Sequence, residues 1–206
     1  MKSMLRLAIL GSTRGTDMQA IINAIEHRLI DARIEIVISN VKDAYILERA
    51  RKHNIKAIFL SPAGKTPQQF DEELIKLIEK HNCGLILLIG YNKILTKKFV
   101  ERFYGKAINI HPSLLPSFKG WDKNVHREVL NYGCKVSGCT LHFITEKPDE
   151  GPIIMQKCVP VKENDTVETL KARVQKAEQE VLIKALELFA KGKIRLSSSG
   201  RVMIQE

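Results

Sequence analysis

Residues 85–89 are the stretch that most restricts the fold, because Leu85-Ile86-Leu87-Leu88-Ile89 is an uninterrupted apolar run. Such a run suits a strand covered on both faces, as in a parallel sheet. Other strand-like runs, at about 5–10 and 34–38, alternate with stretches such as 68–81 whose apolar residues recur at helical spacing. The alternation predicts an α/β fold with a doubly wound, mostly parallel sheet.

The pattern changes after Gly120. Residues 135–144 alternate between apolar and polar, and residues 152–161 form a second strand-like segment. Together they predict an antiparallel C-terminal extension of the sheet. A long helix is expected to end near Ala190, followed by a hairpin that turns at Ser199-Gly200. No linker, repeat or low-complexity segment divides the sequence, so we predict a single domain over residues 1–206.

The charge balance first suggests a nucleic-acid binder, since the net charge is +10 and the pI about 9.5. The basic residues are scattered along the chain, however, and aromatic residues make up only 6%. Solvated helix faces explain this pattern better, and a basic surface also attracts anionic small molecules. No apolar run is long enough for a membrane span or a signal peptide, so a cytoplasmic protein is expected, with no membrane or nucleic-acid partner.

The four cysteines give no sign of a metal site. Cys83, Cys134, Cys139 and Cys158 contain no Cys-x-x-Cys spacing, so we expect reduced thiols and no zinc. Cys83 and Cys139 lie in or beside apolar runs and are interpreted as core residues.

A candidate phosphate site follows the first strand. Gly11-Ser12-Thr13-Arg14-Gly15-Thr16 is a glycine-bearing loop that leads into a predicted helix from Asp17 to His27. The loop lacks both the Gly-Lys-Ser/Thr ending of a P-loop and the spacing of a dinucleotide turn. Many α/β domains open this way without binding phosphate, so the loop alone is a weak signal.

The strongest chemical signal is the pair Asn109 and His111. In an extended chain their spacing puts both side chains on one face, and Pro112 disfavours helix for His111. An amide N–H can stabilise an oxyanion and an imidazole can exchange protons near neutral pH, which suits acyl transfer. The alternative is a pair of strand-end polar residues with ordinary hydrogen bonds.

The longer string at 109–120, Asn-Ile-His-Pro-Ser-Leu-Leu-Pro-Ser-Phe-Lys-Gly, closely resembles the signature of the phosphoribosylglycinamide formyltransferases. These folate-dependent enzymes, also called glycinamide ribonucleotide transformylases, act in purine synthesis. The similarity runs from Leu7 to Val202 and is most specific at 109–120, 138–156 and 159–178.

The resemblance implies a catalytic set and a reaction. Asn109 and His111 would stabilise the oxyanion, and Asp149 would help to move a proton from the amine to the leaving nitrogen of 10-formyltetrahydrofolate. No metal is required. Without the resemblance, Asp149 would be interpreted as a turn residue.

The resemblance also implies where both substrates bind. The nucleotide phosphate would lie at Gly15, Thr16 and Asp17, and the ribonucleotide would contact Gln175 and Glu178. About 1–105 would be the nucleotide- or phosphate-binding half and about 106–206 the catalytic and folate-binding half. The folate site would comprise Asn92, Lys93, Ile94, Leu95, Val100, Thr145, Glu146, Lys147 and Pro148, together with Asp149 at the end of that loop.

Three departures from the family pattern stand out. Asp17 occupies a position where the family usually has Asn, and a carboxylate there is expected either to cap the helix or to turn away from the phosphate. Lys93 stands where Arg is common. The segment 121–125, which contains Trp121, is longer than usual by about two residues.

Several other functions remain open. The related 10-formyltetrahydrofolate hydrolases usually carry an N-terminal regulatory domain, for which the sequence leaves no room because its first strand starts at residue 5. Methionyl-tRNA formyltransferase would need a C-terminal nucleic-acid-binding domain, which is also not found. A non-catalytic phosphate-binding module is the third alternative. The protein could be a monomer or a homodimer.

Overall fold

The computed structural model describes residues 4–120, 124–197 and 200–205. The elements in chain order are β1 (Leu5–Leu10), α1 (Thr16–Glu26), β2 (Ala32–Ser39), α2 (Tyr45–Lys52), β3 (Ala57–Phe59), α3 (Pro67–Lys80), β4 (Leu85–Leu88), α4 (Lys97–Arg102), β5 (Ala107–His111), α5 (Val125–Tyr132), β6 (Val136–Phe143), β7 (Ile153–Pro160), α6 (Val167–Ala190), β8 (Ile194–Leu196) and β9 (Val202–Ile204). None of these helices is both long enough and apolar enough to cross a membrane.

The predicted fold class is confirmed. The main sheet has seven strands in the order β3-β2-β1-β4-β5-β6-β7. Strands β1 to β5 are parallel, whereas β6 and β7 are antiparallel to their neighbours. The chain order reverses direction across the sheet between β1 and β4, which is where ligands bind in doubly wound folds. Strands β8 and β9 form a separate hairpin.

Helices cover both faces of the sheet. Apolar residues of α1, α2, α5 and α6 pack with one face, and those of α3 and α4 pack with the other. Strand β5 contributes to both layers because its side chains alternate. Ile108 and Ile110 enter the core beneath α1 and α6, while Ala107 belongs to the core beneath α3 and α4. Asn109 and His111 therefore share the α3/α4 face.

Helix boundaries differ slightly from the sequence prediction, for local chemical reasons. Helix α1 starts one residue early, at Thr16, because Gly15 is its N-cap in a left-handed conformation (φ 66°). The suggestion that Asp17 caps this helix is wrong, since Asp17 lies within the first turn. Helix α3 includes Pro67, which suits a first helical position, and Thr66 caps it through a capping box.

Some predicted features lie outside the described residues. They are Trp121 and its two following neighbours in the long segment, and Ser199 in the turn of the C-terminal hairpin. The cysteine interpretation fits the described core: Cys139 is fully buried, and Cys83 packs against the α3/α4 layer while remaining partly accessible.

Candidate active site

A cleft of about 320 Å³ opens at the carboxyl ends of β4 and β5. The structure brings most of the predicted site residues together there. Those lining the cleft are Asn92, Lys93, Ile94, Leu95, Val100, Asn109, His111, Thr145, Glu146, Lys147, Pro148 and Asp149.

Hydrogen bonds join the turn after His111 to the neighbouring strand β6. Thr140, directly opposite His111 in β6, donates its hydroxyl proton to the carbonyl of Ser113 (2.7 Å) and accepts from the N–H of Leu115 (3.0 Å). Gln156 of β7 donates its amide to the Thr140 hydroxyl (2.9 Å) and to the carbonyl of Leu115 (3.1 Å). These bonds hold the end of β5, and hence His111, in a defined position.

His111 is buried between a carbonyl and a carboxylate. Its Nε2 lies 2.9 Å from the carbonyl oxygen of Phe118, and its Nδ1 lies 3.4 Å from Oδ2 of Asp149. A carbonyl can only accept, so Nε2 carries the proton in the neutral ring. When the ring is protonated, Nδ1–H faces Asp149 and the two groups form an ion pair. His111 and Asp149 can therefore exchange a proton or share a charge.

His142 joins Asn109 to the same carboxylate. Its Nδ1 lies 2.9 Å from the carbonyl of Phe143, so Nδ1 carries the proton of the neutral ring. Its Nε2 then accepts from the amide nitrogen of Asn109 at 3.2 Å and lies 3.5 Å from Oδ1 of Asp149. One amide proton of Asn109 is thus oriented by His142, which leaves the second for a substrate oxygen.

Asp149 is partly buried and stays ionised. Burial acts to raise its pKa, but the ring of His142 when it is protonated, a hydrogen bond from the backbone N–H of Gly120 (2.9 Å) and the charge of His111 lower the pKa below its ordinary value. Asp149 is therefore a carboxylate at neutral pH, with a histidine on each oxygen.

The loop that carries Asp149 is locked at both ends. The hydroxyl of Thr145 donates to the carbonyl of Lys147 (2.9 Å), which closes a turn at the start of the loop. At its end, a Cβ added to Gly151 would lie 1.7 Å from the carbonyl oxygen of Phe143, so only glycine fits there. Asp149 itself has a left-handed backbone (φ 57°), a conformation that Asp adopts more readily than most residues.

The predicted folate side has an apolar floor and a polar rim. Val100 is buried below the cleft, while Ile94 is 61% exposed at its edge. The ammonium of Lys93 lies 4.7 Å from the ring centre of Phe70, which fixes the side chain over the α3 layer. The side-chain oxygen of Asn92 accepts from the amide of Asn40 (2.8 Å).

The predicted phosphate loop lies outside the lining of this cleft, which includes Thr13 but not Gly15, Thr16 or Asp17. The loop therefore contributes Thr13 to the cleft, whereas the residues predicted to bind the phosphate lie beyond the cleft lining. Gly15 is required by packing as well as by its φ angle, since an added Cβ would lie 2.4 Å from Cγ1 of Ile46. The first N–H groups of α1 have no helical acceptors, as at any helix start, and can therefore bind an anion.

Asp17 and Glu178 are both buried beneath this loop, at 7% and 8% exposure. Glu178 is thus not a solvated helix charge. Helix α1 packs against α6, and the negative charge of Asp17 raises the pKa of Glu178 further than burial alone does. Burial also raises the pKa of Asp17, partly offset by the neighbouring Gln179 side chain. Gln175, one turn before Glu178, is half-buried on the same helix.

Sequence reasoning missed His142 and the pair Ser12 and Asn40. His142 stands opposite Asn109 in β6, and only the antiparallel register reveals that pairing. Ser12 donates to Asn40 (2.7 Å) and accepts from the backbone N–H of Asn92 (3.0 Å), joining the loops after β1, β2 and β4. Within the described residues, no group of three or more His, Cys, Asp or Glu side chains is arranged to hold a metal ion.

Residues 5–186 match the family model described as formyl transferase, and the chain belongs to this family. Among curated proteins, it is 38% identical to phosphoribosylglycinamide formyltransferase of Haemophilus influenzae, over 95% of this chain and 92% of that protein. A solved glycinamide ribonucleotide transformylase 1 from Symbiobacterium toebii superposes with a TM-score of 0.94 at 39% identity, over 100% of this chain and 96% of that one.

Other relatives differ in length or in name. The chain is 42% identical to the trifunctional purine biosynthetic protein adenosine-3 of Bos taurus over 96% of this chain, but it spans only 19% of that protein. A formyltetrahydrofolate deformylase from Pseudomonas syringae superposes with a TM-score of 0.89 at 25% identity, over 98% of this chain and 66% of that one.

Proposed function

We propose that this enzyme transfers the formyl group of 10-formyltetrahydrofolate to the primary amine of glycinamide ribonucleotide. The observation that carries the proposal is the cluster formed by Asn109, His111, His142 and Asp149 at the mouth of a largely apolar cleft. The relatives named as phosphoribosylglycinamide formyltransferases, matched along nearly their whole length, support the choice of substrates.

The reaction makes one C–N bond and breaks another. The amine nitrogen attacks the formyl carbon, the C–N bond to the folate breaks, and a proton passes from the amine to the folate nitrogen. Asn109 is the best-placed donor to the oxyanion, because its second amide proton is not used by His142. His111 cannot also donate its Nε2 proton to the oxyanion, because that proton is bonded to the carbonyl of Phe118. When the ring is protonated, His111 contributes positive charge instead.

Asp149 is proposed to carry the proton transfer. It is ionised, so it can accept a proton from the attacking amine and pass it to the folate nitrogen, while its charge stabilises the protonated ring of His111. The folate would occupy the cleft between Val100 and the loop 145–149. The phosphate would bind the first-turn N–H groups of α1 at Gly15, Thr16 and Asp17, with Gln175 and Glu178 contacting the ribonucleotide.

The remaining assignments are also proposals. We infer one domain with a nucleotide-binding half and a catalytic, folate-binding half. We further infer a cytoplasmic protein without a nucleic-acid partner, monomeric or homodimeric. The N–H donors and the carboxylate of the site are sufficient for the chemistry without a metal.

The test is a formyl-transfer assay with purified protein, glycinamide ribonucleotide and 10-formyltetrahydrofolate. We expect formylated ribonucleotide and tetrahydrofolate to appear at equal rates, and no release of tetrahydrofolate when the ribonucleotide is omitted. Glu150→Gln is the matched control for Asp149→Asn, because Glu150 is an adjacent, exposed carboxylate paired with Lys119. Glu150→Gln should be as active as the wild type.

Hydrolysis of 10-formyltetrahydrofolate is the second candidate, favoured by the likeness to the deformylase. Water would then replace the amine, and formate would be released. Rapid formate release without ribonucleotide would establish the hydrolase, whereas binding of both substrates without turnover would indicate a non-catalytic module.

A further inference from the structure

The buried carboxyl groups of Asp17 and Glu178, between α1 and α6, have no basic partner in the described part of the chain, although the side chain of Gln179 partly lowers the pKa of Asp17. Oδ1 of Asp17 is buried without a hydrogen-bond partner. Among the described residues, no Lys, Arg or His nitrogen lies within 4.0 Å of either Asp17 or Glu178. Two ionised carboxylates in such a position repel each other and lose hydration, so both cannot be charged without a large cost.

The charged groups on the surrounding elements do not remove the problem. Lys171 of α6 lowers the pKa of Glu178, but burial and the charge of Asp17 have larger effects and raise that pKa. Lys157 of β7 is already paired with Glu180. On β6, burial raises the pKa of the Cys139 thiol, and the negative charges of Glu178 and Asp17 raise it further. The thiol therefore stays neutral.

The neighbouring histidine adds no positive charge. His126 of α5 is buried, and burial together with Lys171 lowers its pKa to about 4. From α2, Arg49 binds the carbonyl of Arg14 and the side chain of Gln19 instead.

We propose that Asp17 and Glu178 hold one proton between them, and that this shared proton allows the site above them to accept a phosphate-bearing ribonucleotide. The inference rests on the proposed function and assigns Asp17 a distinct role as a determinant of ribonucleotide affinity. With the proton in place the pair carries one negative charge. Loss of the proton adds a second charge next to the first turn of α1, where the phosphate would bind.

The expected consequence is ribonucleotide binding that weakens as the pH rises. Phosphate monoesters lose their second proton near pH 6, a change that affects every variant equally. The comparison with Asp17→Asn therefore isolates the pair, because Asn keeps the shape and cannot ionise. Glu180→Gln serves as the matched control, since Glu180 is an exposed carboxylate on the same helix.

The first experiment is calorimetric titration of the intact protein with glycinamide ribonucleotide, without folate, from about pH 6 to pH 9. We expect the wild-type Kd to rise about tenfold more than that of Asp17→Asn over this range, with Glu180→Gln following the wild type. Parallel profiles for wild type and Asp17→Asn would overturn the proposal. Failure of every variant to bind at any pH would instead overturn the proposed function.

The second experiment measures unfolding by urea from about pH 4 to pH 9 and needs no ligand. A carboxyl whose folded pKa is raised holds its proton longer in the folded state, so its contribution to stability is present at low pH and lost as pH rises. Asp17→Asn should therefore be more stable than the wild type near pH 9, with the difference shrinking as the pH falls towards about 4, the unfolded pKa of a carboxyl. A pH-independent difference would contradict the shared proton, and Glu178→Gln should give the same trend.

Discussion

Carboxyl groups on opposite faces of the sheet have pKa values that are shifted in opposite directions. On the α3/α4 face, Asp149 receives a backbone N–H and lies between two histidines, and its pKa is lowered. On the α1/α6 face, neither Asp17 nor Glu178 has a basic partner among the described residues, and burial raises both pKa values despite the side chain of Gln179 beside Asp17. Asp149 is also less deeply buried than Asp17 and Glu178, so depth and the available hydrogen bonds and charges together decide which carboxyl is charged.

The comparison assigns different tasks to the two places. A carboxylate that is ionised and held by hydrogen bonds can accept a proton and return it without moving, as the proposed chemistry requires. A carboxyl group that retains a proton presents a hydroxyl donor and little charge, which suits contact with sugar hydroxyls beside a phosphate. In the proposed reaction, carboxyl groups would thus serve proton transfer on one face and substrate positioning on the other.

The largest effect on turnover is expected from substitutions of Asp149 and His111. Asp149→Asn and His111→Ala should each lower kcat for formyl transfer about 10²-fold or more, because each removes a group that acts on the reacting atoms. Steady-state kinetics, together with circular dichroism to confirm folding, would check this. Turnover close to the wild type in either variant would exclude that residue from the mechanism and break the contrast between the two faces.

Substitution of Glu178 on α6 should affect substrate binding rather than turnover. Glu178→Ala should raise KM for glycinamide ribonucleotide about tenfold, with little change in KM for 10-formyltetrahydrofolate, because a positioning contact to one substrate is lost. Glu180→Ala is the control on the same helix. Equal changes in both KM values would show that Glu178 supports the whole site and not the ribonucleotide alone.

Stability should depend on pH in opposite directions at the two places. The lowered pKa of Asp149 gives stability that is present above its unfolded pKa of about 4 and is lost as the pH falls through the folded value. Asp149→Asn should therefore cost about 1–2 kcal/mol near pH 7 and less in acid, measured by urea unfolding. A cost that grows on acidification would contradict the ionised state of Asp149.

The smallest effect is expected in the loop on the folate side. Thr145→Val removes the hydroxyl that bonds the Lys147 carbonyl and keeps the shape of the side chain. We expect KM for 10-formyltetrahydrofolate to rise about threefold, because a single exposed hydrogen bond contributes little. Thr145→Ser, which keeps the hydroxyl, should match the wild type. A larger loss shared by kcat would show that this turn also sets the position of Asp149.

The sequence was sufficient for the architecture because its signals were local. The run 85–89 and the alternation of strands and helices predict the parallel sheet, and the spacing of Asn109 and His111 predicts their common face. These features follow from periodicity alone, which the chain carries in every segment. The C-terminal strands were also predictable from alternation.

The remaining features depend on pairing across the sequence. His142 becomes a site residue only because the register of β6 places it opposite Asn109. The state of Asp17 depends on α6, more than 150 residues away, so the sequence suggested a helix cap where the structure shows a buried carboxyl. No local pattern encodes such contacts, because the partner is supplied by another layer of the fold.

The glycine at the end of the folate-side loop has a consequence for how this enzyme can change. No side chain fits at Gly151 beside the carbonyl of Phe143, so this close packing fixes the backbone that carries Asp149. Glu146, Lys147 and Pro148, in contrast, are exposed. A library of variants should therefore fold with almost any residue at 146–148, where substitutions would alter folate affinity, and only with glycine at 151. Selection can reshape what the cleft admits while the catalytic carboxylate stays in place, which separates the evolution of specificity from that of chemistry.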